Sequence, residues 1–122
     1  MTPEDVVRTF CKAVERCDPK ELAGFFTADA VYHNIPIAAV TGRAEIEATL
    51  AQFISPGATC AFEIKGLAAN GNLVLTERVD RFAMNGKRIE IPVMGAFEVT
   101  ADGKISAWRD YFDMQQFMSQ MN

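Results

Sequence analysis

Two short runs carry side chains suited to moving protons. Thr76-Glu-Arg-Val-Asp80 sets an arginine and an aspartate two residues apart, and Trp108-Arg-Asp-Tyr-Phe-Asp113 supplies another aspartate at position 110. A guanidinium has five donors and no acceptor, so Arg78 alone can hold both Asp80 and Asp110. Two carboxylates around one cation in a dry site carry a net negative charge if both ionise and none if they share a proton. Sharing is favoured there, and it leaves one group as a base and the other as a carboxylic acid. The matching reaction is a push and pull, in which a water is activated at one end while a leaving oxygen is protonated at the other.

Whether the three meet depends on the strands that carry them. From Thr59 onward apolar and polar residues alternate, which predicts strands at 59–68, 72–83, 88–100 and 104–112. Asn70-Gly71, Asn85-Gly86 and Asp102-Gly103 lie between these runs and suit tight hairpins, so the strands are expected to pair antiparallel. A two-residue loop at Asn85-Gly86 sets Met84 against Lys87, and counting back sets Asp80 against Ile91, Arg78 against Val93 and Thr76 against Gly95. A two-residue loop at Asp102-Gly103 sets Phe97 against Trp108, Gly95 against Asp110 and Val93 against Phe112. A three-residue loop at either turn would send that strand's charges to the opposite face.

On this register Arg78, Asp80 and Asp110 share a face with Val74, Phe82, Ile89, Ile91, Val93, Phe97, Trp108 and Phe112, expected to line an apolar pocket. Charges persist in such surroundings only when paired and hydrogen-bonded. Asp80 is roughly 7 Å along the strand from Arg78, and Asp110 roughly 10 Å across two strands, gaps a long guanidinium can span. Gly95, with no side chain, leaves the intervening space open. The competing readings are a solvated strand face or a buried salt bridge without chemistry.

The front of the chain is helical. Thr2-Pro3 with Asp5, and Asp18-Pro19 with Glu21, are start signals for two helices, the second short and carrying Leu22, Phe25 and Phe26. A third helix is expected from about Arg43 to Ile54, stopped by Ser55-Pro56-Gly57, and a brief strand over Val31 to Ile37. Helices in front and strands behind indicate an α+β domain with three amino-terminal helices covering one face of a twisted sheet. Met114 to Asn122 reads as a pocket-closing helix or a flap, with Asp113 as its cap.

Composition bounds the partners. The chain has 122 residues, 49% of them hydrophobic, and 12 Lys+Arg against 16 Asp+Glu, which fits one domain over 1–122 and makes nucleic acid a poor partner. No apolar run suits a membrane span and no signal peptide is evident, so the cytoplasm is the expected compartment. Cys11, Cys17 and Cys60 form no metal-ligand or disulfide pattern and read as packing. His33 reads as a surface or packed histidine, and Arg81 as a cross-strand partner of Glu90.

Taken together, Val31-Tyr-His-Asn-Ile-Pro-Ile37, the Arg78-Val-Asp80 run and Trp108-Arg-Asp-Tyr-Phe-Asp113 resemble the limonene-1,2-epoxide hydrolase family. That family lies within the nuclear transport factor 2-like and SnoaL-like cone fold, and the resemblance covers most of the chain. It implies a strongly curved, mainly antiparallel mixed sheet forming a cone around an apolar pocket. It also implies hydrolysis of a small apolar epoxide, terpene-like or cyclic, to a vicinal diol in one step, without a covalent intermediate, metal or organic cofactor. By resemblance Asp110 is the base that deprotonates water, Asp80 the acid and Arg78 their bridge, while Tyr32 and Asn34 hold the water with Asp110. The residues alone do not separate acid from base. They do agree that Tyr32 and Asn34, two apart in an extended segment, point the same way while His33 points the other.

A homodimer is implied as well, through the outer sheet face bearing Leu73, Leu75, Val79, Pro92, Met94 and Tyr111. The alternatives are a ketosteroid-isomerase-like or polyketide-cyclase-like enzyme, or a non-catalytic binder of a small apolar ligand. Arg78 disfavours the first, because a fixed cation depresses a lone carboxylate base.

Overall fold

Reciprocal capping starts the chain. Thr2 accepts a hydrogen bond from the Asp5 amide, Asp5 accepts one from the Thr2 amide, and Pro3 takes the first position of helix α1 (Pro3–Ala13). Val6, Val7, Phe10 and Cys11 bury its inner face. A 3-10 turn (Val14–Arg16) ends at Cys17, whose left-handed φ of 53° redirects the chain. Asp18 then caps α2 (Pro19–Ala23) by accepting from the Lys20 and Glu21 amides. The computed structural model describes residues 1–122.

Two strands and a helix follow: β1 (Phe26–Asn34), β2 (Val40–Thr41) and α3 (Arg43–Leu50). Strand β1 begins five residues earlier than Val31 and stops at Asn34, so Phe26 opens a strand and does not close a helix. Its core-facing Phe26, Ala30 and Tyr32 are buried. Helix α3 is shorter than expected and gives way to a turn at Ala51, although Ile54 beyond it is still buried.

The second half is β3 (Ala61–Asn70), β4 (Leu73–Met84), β5 (Lys87–Val99) and β6 (Ile105–Tyr111), closed by α4 (Met114–Met121). The six strands form one strongly curled mixed sheet in the order β2-β1-β6-β5-β4-β3, with only the β1–β6 pair parallel. The fold is α+β, and no helix is long and apolar enough to cross a membrane.

At Asn85-Gly86 both residues take positive φ, 52° and 75°, so the loop has two residues and the register runs unbroken from Met84–Lys87 to Leu73–Glu98. The Asp102-Gly103 turn is different. The Thr100 amide donates to the Lys104 carbonyl at 2.7 Å around a loop of Ala101, Asp102 and Gly103, and the Thr100 carbonyl accepts from the Gly103 amide at 3.0 Å. A loop of that length should turn β6 over. A bulge at Ser106, between the Val99–Ile105 and Glu98–Ala107 pairs, adds one residue and restores Phe97–Trp108 and Gly95–Asp110.

Asp113 caps α4 by accepting from the Gln115 and Gln116 amides. Beyond Met94, β5 has β4 on one side and no strand on the other. There the Gln120 side-chain amide donates to the Glu90 carbonyl (2.9 Å) and accepts from the Glu90 amide (2.8 Å), standing in for a strand. Phe117 and Met121 pack on a small cluster of Ile89, Ile91 and Val93.

Candidate active site

Every donor of the Arg78 guanidinium is used. Nε and Nη2 donate to Asp80 (3.0 and 2.8 Å), Nη1 and Nη2 to Asp110 (3.2 and 2.8 Å), and Nη1 also to the Thr76 hydroxyl (3.1 Å). Arg78 is 1% exposed, and Asp80 and Asp110 are each 4% exposed. Phe62 and Phe97 stack against the guanidinium with centroids at 4.8 and 5.8 Å. The turn at Asn85-Gly86 and the bulge at Ser106 are what bring these three strand residues to one place.

Gly95 lies on β5 between Thr76 of β4 and Asp110 of β6. A Cβ there would collide with Arg78 Nη1 and sit 2.7 Å from Asp110 Oδ1, so a side chain at 95 and the ion-pair cluster exclude one another. Thr76 donates in turn to the Gly95 carbonyl at 3.4 Å.

Electrostatics follow from burial. Loss of water pushes Asp80 up from 3.8 to about 6 despite the opposing pull of Arg78, with the Asp110 charge adding to the rise. Burial alone would lower Arg78, but the two carboxylates hold it well above its ordinary value, so it stays charged. Burial raises the Tyr32 phenol well above 10, again with help from Asp110.

The parallel β1–β6 pair sets Tyr32 beside Trp108 and Asn34 beside Asp110. Tyr32 stacks on Trp108 at 4.0 Å and 8°, and its hydroxyl donates to Asn34 Oδ1 at 3.3 Å. Trp108 Nε1 donates to Asp110 Oδ1 at 2.7 Å. His33 turns away and bonds the Ile37 carbonyl at 2.9 Å.

These groups floor a cavity of about 200 Å³ with a mostly apolar wall. Tyr32, Asn34, Asp80 and Asp110 open into it, as do Phe82, Ile91, Val93 and Phe112. Val74, Ile89, Phe97 and Trp108, expected on the wall, do not line it. Val74, Phe97 and Trp108 lie beneath it in the main core, and Ile89 lies under α4. Arg78 is likewise covered, behind its two acids. The rest of the wall comes from Ile37 after β1, Thr49, Gln52 and Phe53 on and after α3, Phe62 on β3, Met84 at the end of β4, and Met114 and Phe117 on α4. Phe53 shares the apolar side of α3 with Ile46 and Leu50, a legible signal; Phe62 reaches Asp80 only through the β3–β4 register. No three His, Cys, Asp or Glu side chains come together in a way that could hold a metal ion.

The profile of the limonene-1,2-epoxide hydrolase catalytic domain matches residues 1–122. The chain belongs to that family. Epoxide hydrolase EphG of Mycobacterium tuberculosis is 33% identical over 108 residues, which is 88% of this chain and 71% of that protein. The structure of a limonene-epoxide-hydrolase-like epoxide hydrolase from M. tuberculosis superposes with a TM-score of 0.79 at 30% identity, over 95% of this chain and 86% of that one. A SnoaL-like polyketide cyclase candidate from Shewanella putrefaciens gives 0.83 at 18% identity, over 98% and 95%, a likeness of fold alone. This chain is therefore an epoxide hydrolase of the limonene-1,2-epoxide hydrolase type, on a scaffold that cyclase-like proteins share.

Proposed function

We propose that the protein hydrolyses a small apolar epoxide, cyclic or terpene-like, to a vicinal diol in one step, with Asp110 as base and Asp80 as acid. The observation that carries this reading is one guanidinium holding both carboxylates at 2.8 Å on the floor of an apolar cavity. Asp110 takes a proton from water as the water oxygen bonds to an epoxide carbon. The carbon–oxygen bond of the ring breaks, and Asp80 gives its proton to the departing oxygen. The two carboxyls then re-equilibrate the proton around Arg78, so no group is consumed.

Tyr32 and Asn34 orient the water. Because the Tyr32 hydroxyl donates to Asn34 Oδ1, its oxygen is left as an acceptor and the Asn34 amide nitrogen as a donor. A water that donates to Asp110 and Tyr32 and accepts from Asn34 keeps one lone pair for the carbon. Ring strain and in-line placement supply the rest of the drive. A cavity of about 200 Å³ is at the small end for ligand sites, which favours one ring or a short chain. Two copies associate through the outer sheet face, where Leu75, Met94 and Tyr111 are exposed; light scattering of the purified protein should give twice the chain mass.

The test is a single turnover with a panel of cyclic and terpene epoxides in oxygen-18 water. Label in the diol on the first turnover supports direct water attack. Label appearing first in a carboxylate would overturn the mechanism, and an isomerised or cyclised ketone as product would move the protein to the cyclase-like reading.

A further inference from the structure

Asp80 and Asp110 are close to symmetric about Arg78. Each accepts two guanidinium N–H bonds and each is 4% exposed. The Thr76 hydroxyl touches neither carboxylate; it accepts from Arg78 and donates to the Gly95 carbonyl. One contact breaks the symmetry, the Trp108 indole N–H on Asp110 Oδ1 at 2.7 Å. An indole N–H can only donate. It stabilises a charged oxygen and opposes a proton placed there.

The indole cannot turn aside. Trp108 is fully buried, stacked between Tyr32 (4.0 Å, 8°) and Phe97 (5.5 Å, 14°), with the edge of Phe10 at 5.1 Å. We infer that Trp108 is a positioning residue whose indole N–H keeps the negative charge on Asp110, and so decides which acid is the base and which keeps the shared proton. The inference rests on the proton-transfer roles proposed above.

The other titratable groups near Asp110 are Arg78 and Asp80 from β4, Tyr32 from β1 and Cys11 from α1. Residues lining the cavity from β3, β5, α3 and α4 carry no titratable side chain. Burial keeps Cys11, pushed up to about 12, and Tyr32 neutral across the working range. Arg78 serves both acids. None of them favours Asp110 over Asp80 as a donor does.

The first arm of the test compares wild type and Trp108→Phe, which keeps a ring and removes the N–H, on cyclohexene oxide from pH 4 to 9. The acid limb of kcat/KM should move up by roughly a pH unit, the scale of one hydrogen bond to a charged group, and kcat should fall about tenfold with KM little changed. An unmoved acid limb in a folded variant overturns the inference.

The second arm needs neither the variant nor an epoxide. The chain has one tryptophan, so a single indole N–H resonance can be followed by NMR beside carbon-13-labelled aspartate carboxyls as pH falls. That resonance should hold through the first protonation of the pair and move only at the second. Movement at the first step puts the shared proton on Asp110 and overturns the inference. If wild type opens no epoxide, the proposed function fails in the kinetic arm while the indole titration still decides the contact.

Discussion

The two halves of the site are held by different physics. On the β4–β5 side, Arg78 and Asp80 sit where a two-residue turn counts them, and every partner from Met84–Lys87 to Leu73–Glu98 follows from it. On the β1–β6 side more than seventy positions separate Tyr32 from Trp108, and the parallel register coincides with a face-to-face ring stack at 4.0 Å. Turn chemistry therefore places Arg78 and Asp80, and aromatic packing accompanies the placement of Tyr32 and Asn34, the groups proposed to orient the water. Damage to the first half should cost stability and activity together, whereas a polar deletion in the second should cost activity alone.

Arg78→Ala is the harshest way to break this contrast. It leaves two buried carboxylates without their cation, and loss of one partner of such a pair costs about 3–5 kcal/mol. The urea midpoint should drop accordingly, with turnover lost. The deficit should be smaller at pH 5 than at pH 8, because the two acids can neutralise themselves once protonated. A variant with the wild-type midpoint at pH 8 would mean that the cluster is solvated.

Tyr32→Phe probes the other half. The ring stays on Trp108 and the hydroxyl goes, so thermal stability should hold while kcat falls about ten- to a hundredfold, the lower range for groups assisting proton transfer. Equal losses of stability and activity would erase the distinction between the halves.

Legibility from sequence divides along the same line. Charges on one face could be read because Asn85-Gly86 forms the two-residue loop that its dipeptide suits. The Asp102-Gly103 register came out as expected through two departures that cancel, a longer loop and the Ser106 bulge, which no dipeptide signals. Val74, Phe97 and Trp108 share the right strand face, but the sheet curls so tightly that they sit under helix α1 and not on the open wall. Phe62 was hidden because the β3–β4 loop is Gly71-Asn72 and a bulge at Lys65 shifts the pairing again. Wall residues from α3 and α4 depend on how helices close over the sheet, information that strand periodicity does not contain.

A milder handle is pH. Asp80 is raised to about 6 in the folded state from an ordinary 3.8, so between those values the folded chain binds more protons than the unfolded one. Asp80's contribution to stability is then fully present below about pH 4 and is lost as pH rises toward 6. Activity should follow the same group: kcat/KM should decline as pH rises past about 6, since an ionised Asp80 has no proton to give. Asp80→Asn should flatten that part of the stability curve. A stability that instead climbs steeply from pH 4 to 6 in wild type and not in Asp80→Asn would reverse the sign and place Asp80 in a stabilising pair.

The smallest effect belongs to the clasp on the free edge of β5. Gln120→Ala removes two hydrogen bonds to Glu90, yet both backbone groups can turn to water because Glu90 is exposed, so the stability loss should stay near 1 kcal/mol. Its consequence should show in binding. Helix α4 brings Met114 and Phe117 to the cavity wall, and no residue of α4 is fully buried, so Gln120 and the apolar contacts of Phe117 and Met121 are what hold the helix in place. Loosening it should raise KM a few-fold and leave kcat nearly unchanged, because Arg78, Asp80, Asp110, Tyr32 and Asn34 all sit on strands that α4 does not position. A matching fall in kcat would mean that α4 also shapes the acid pair.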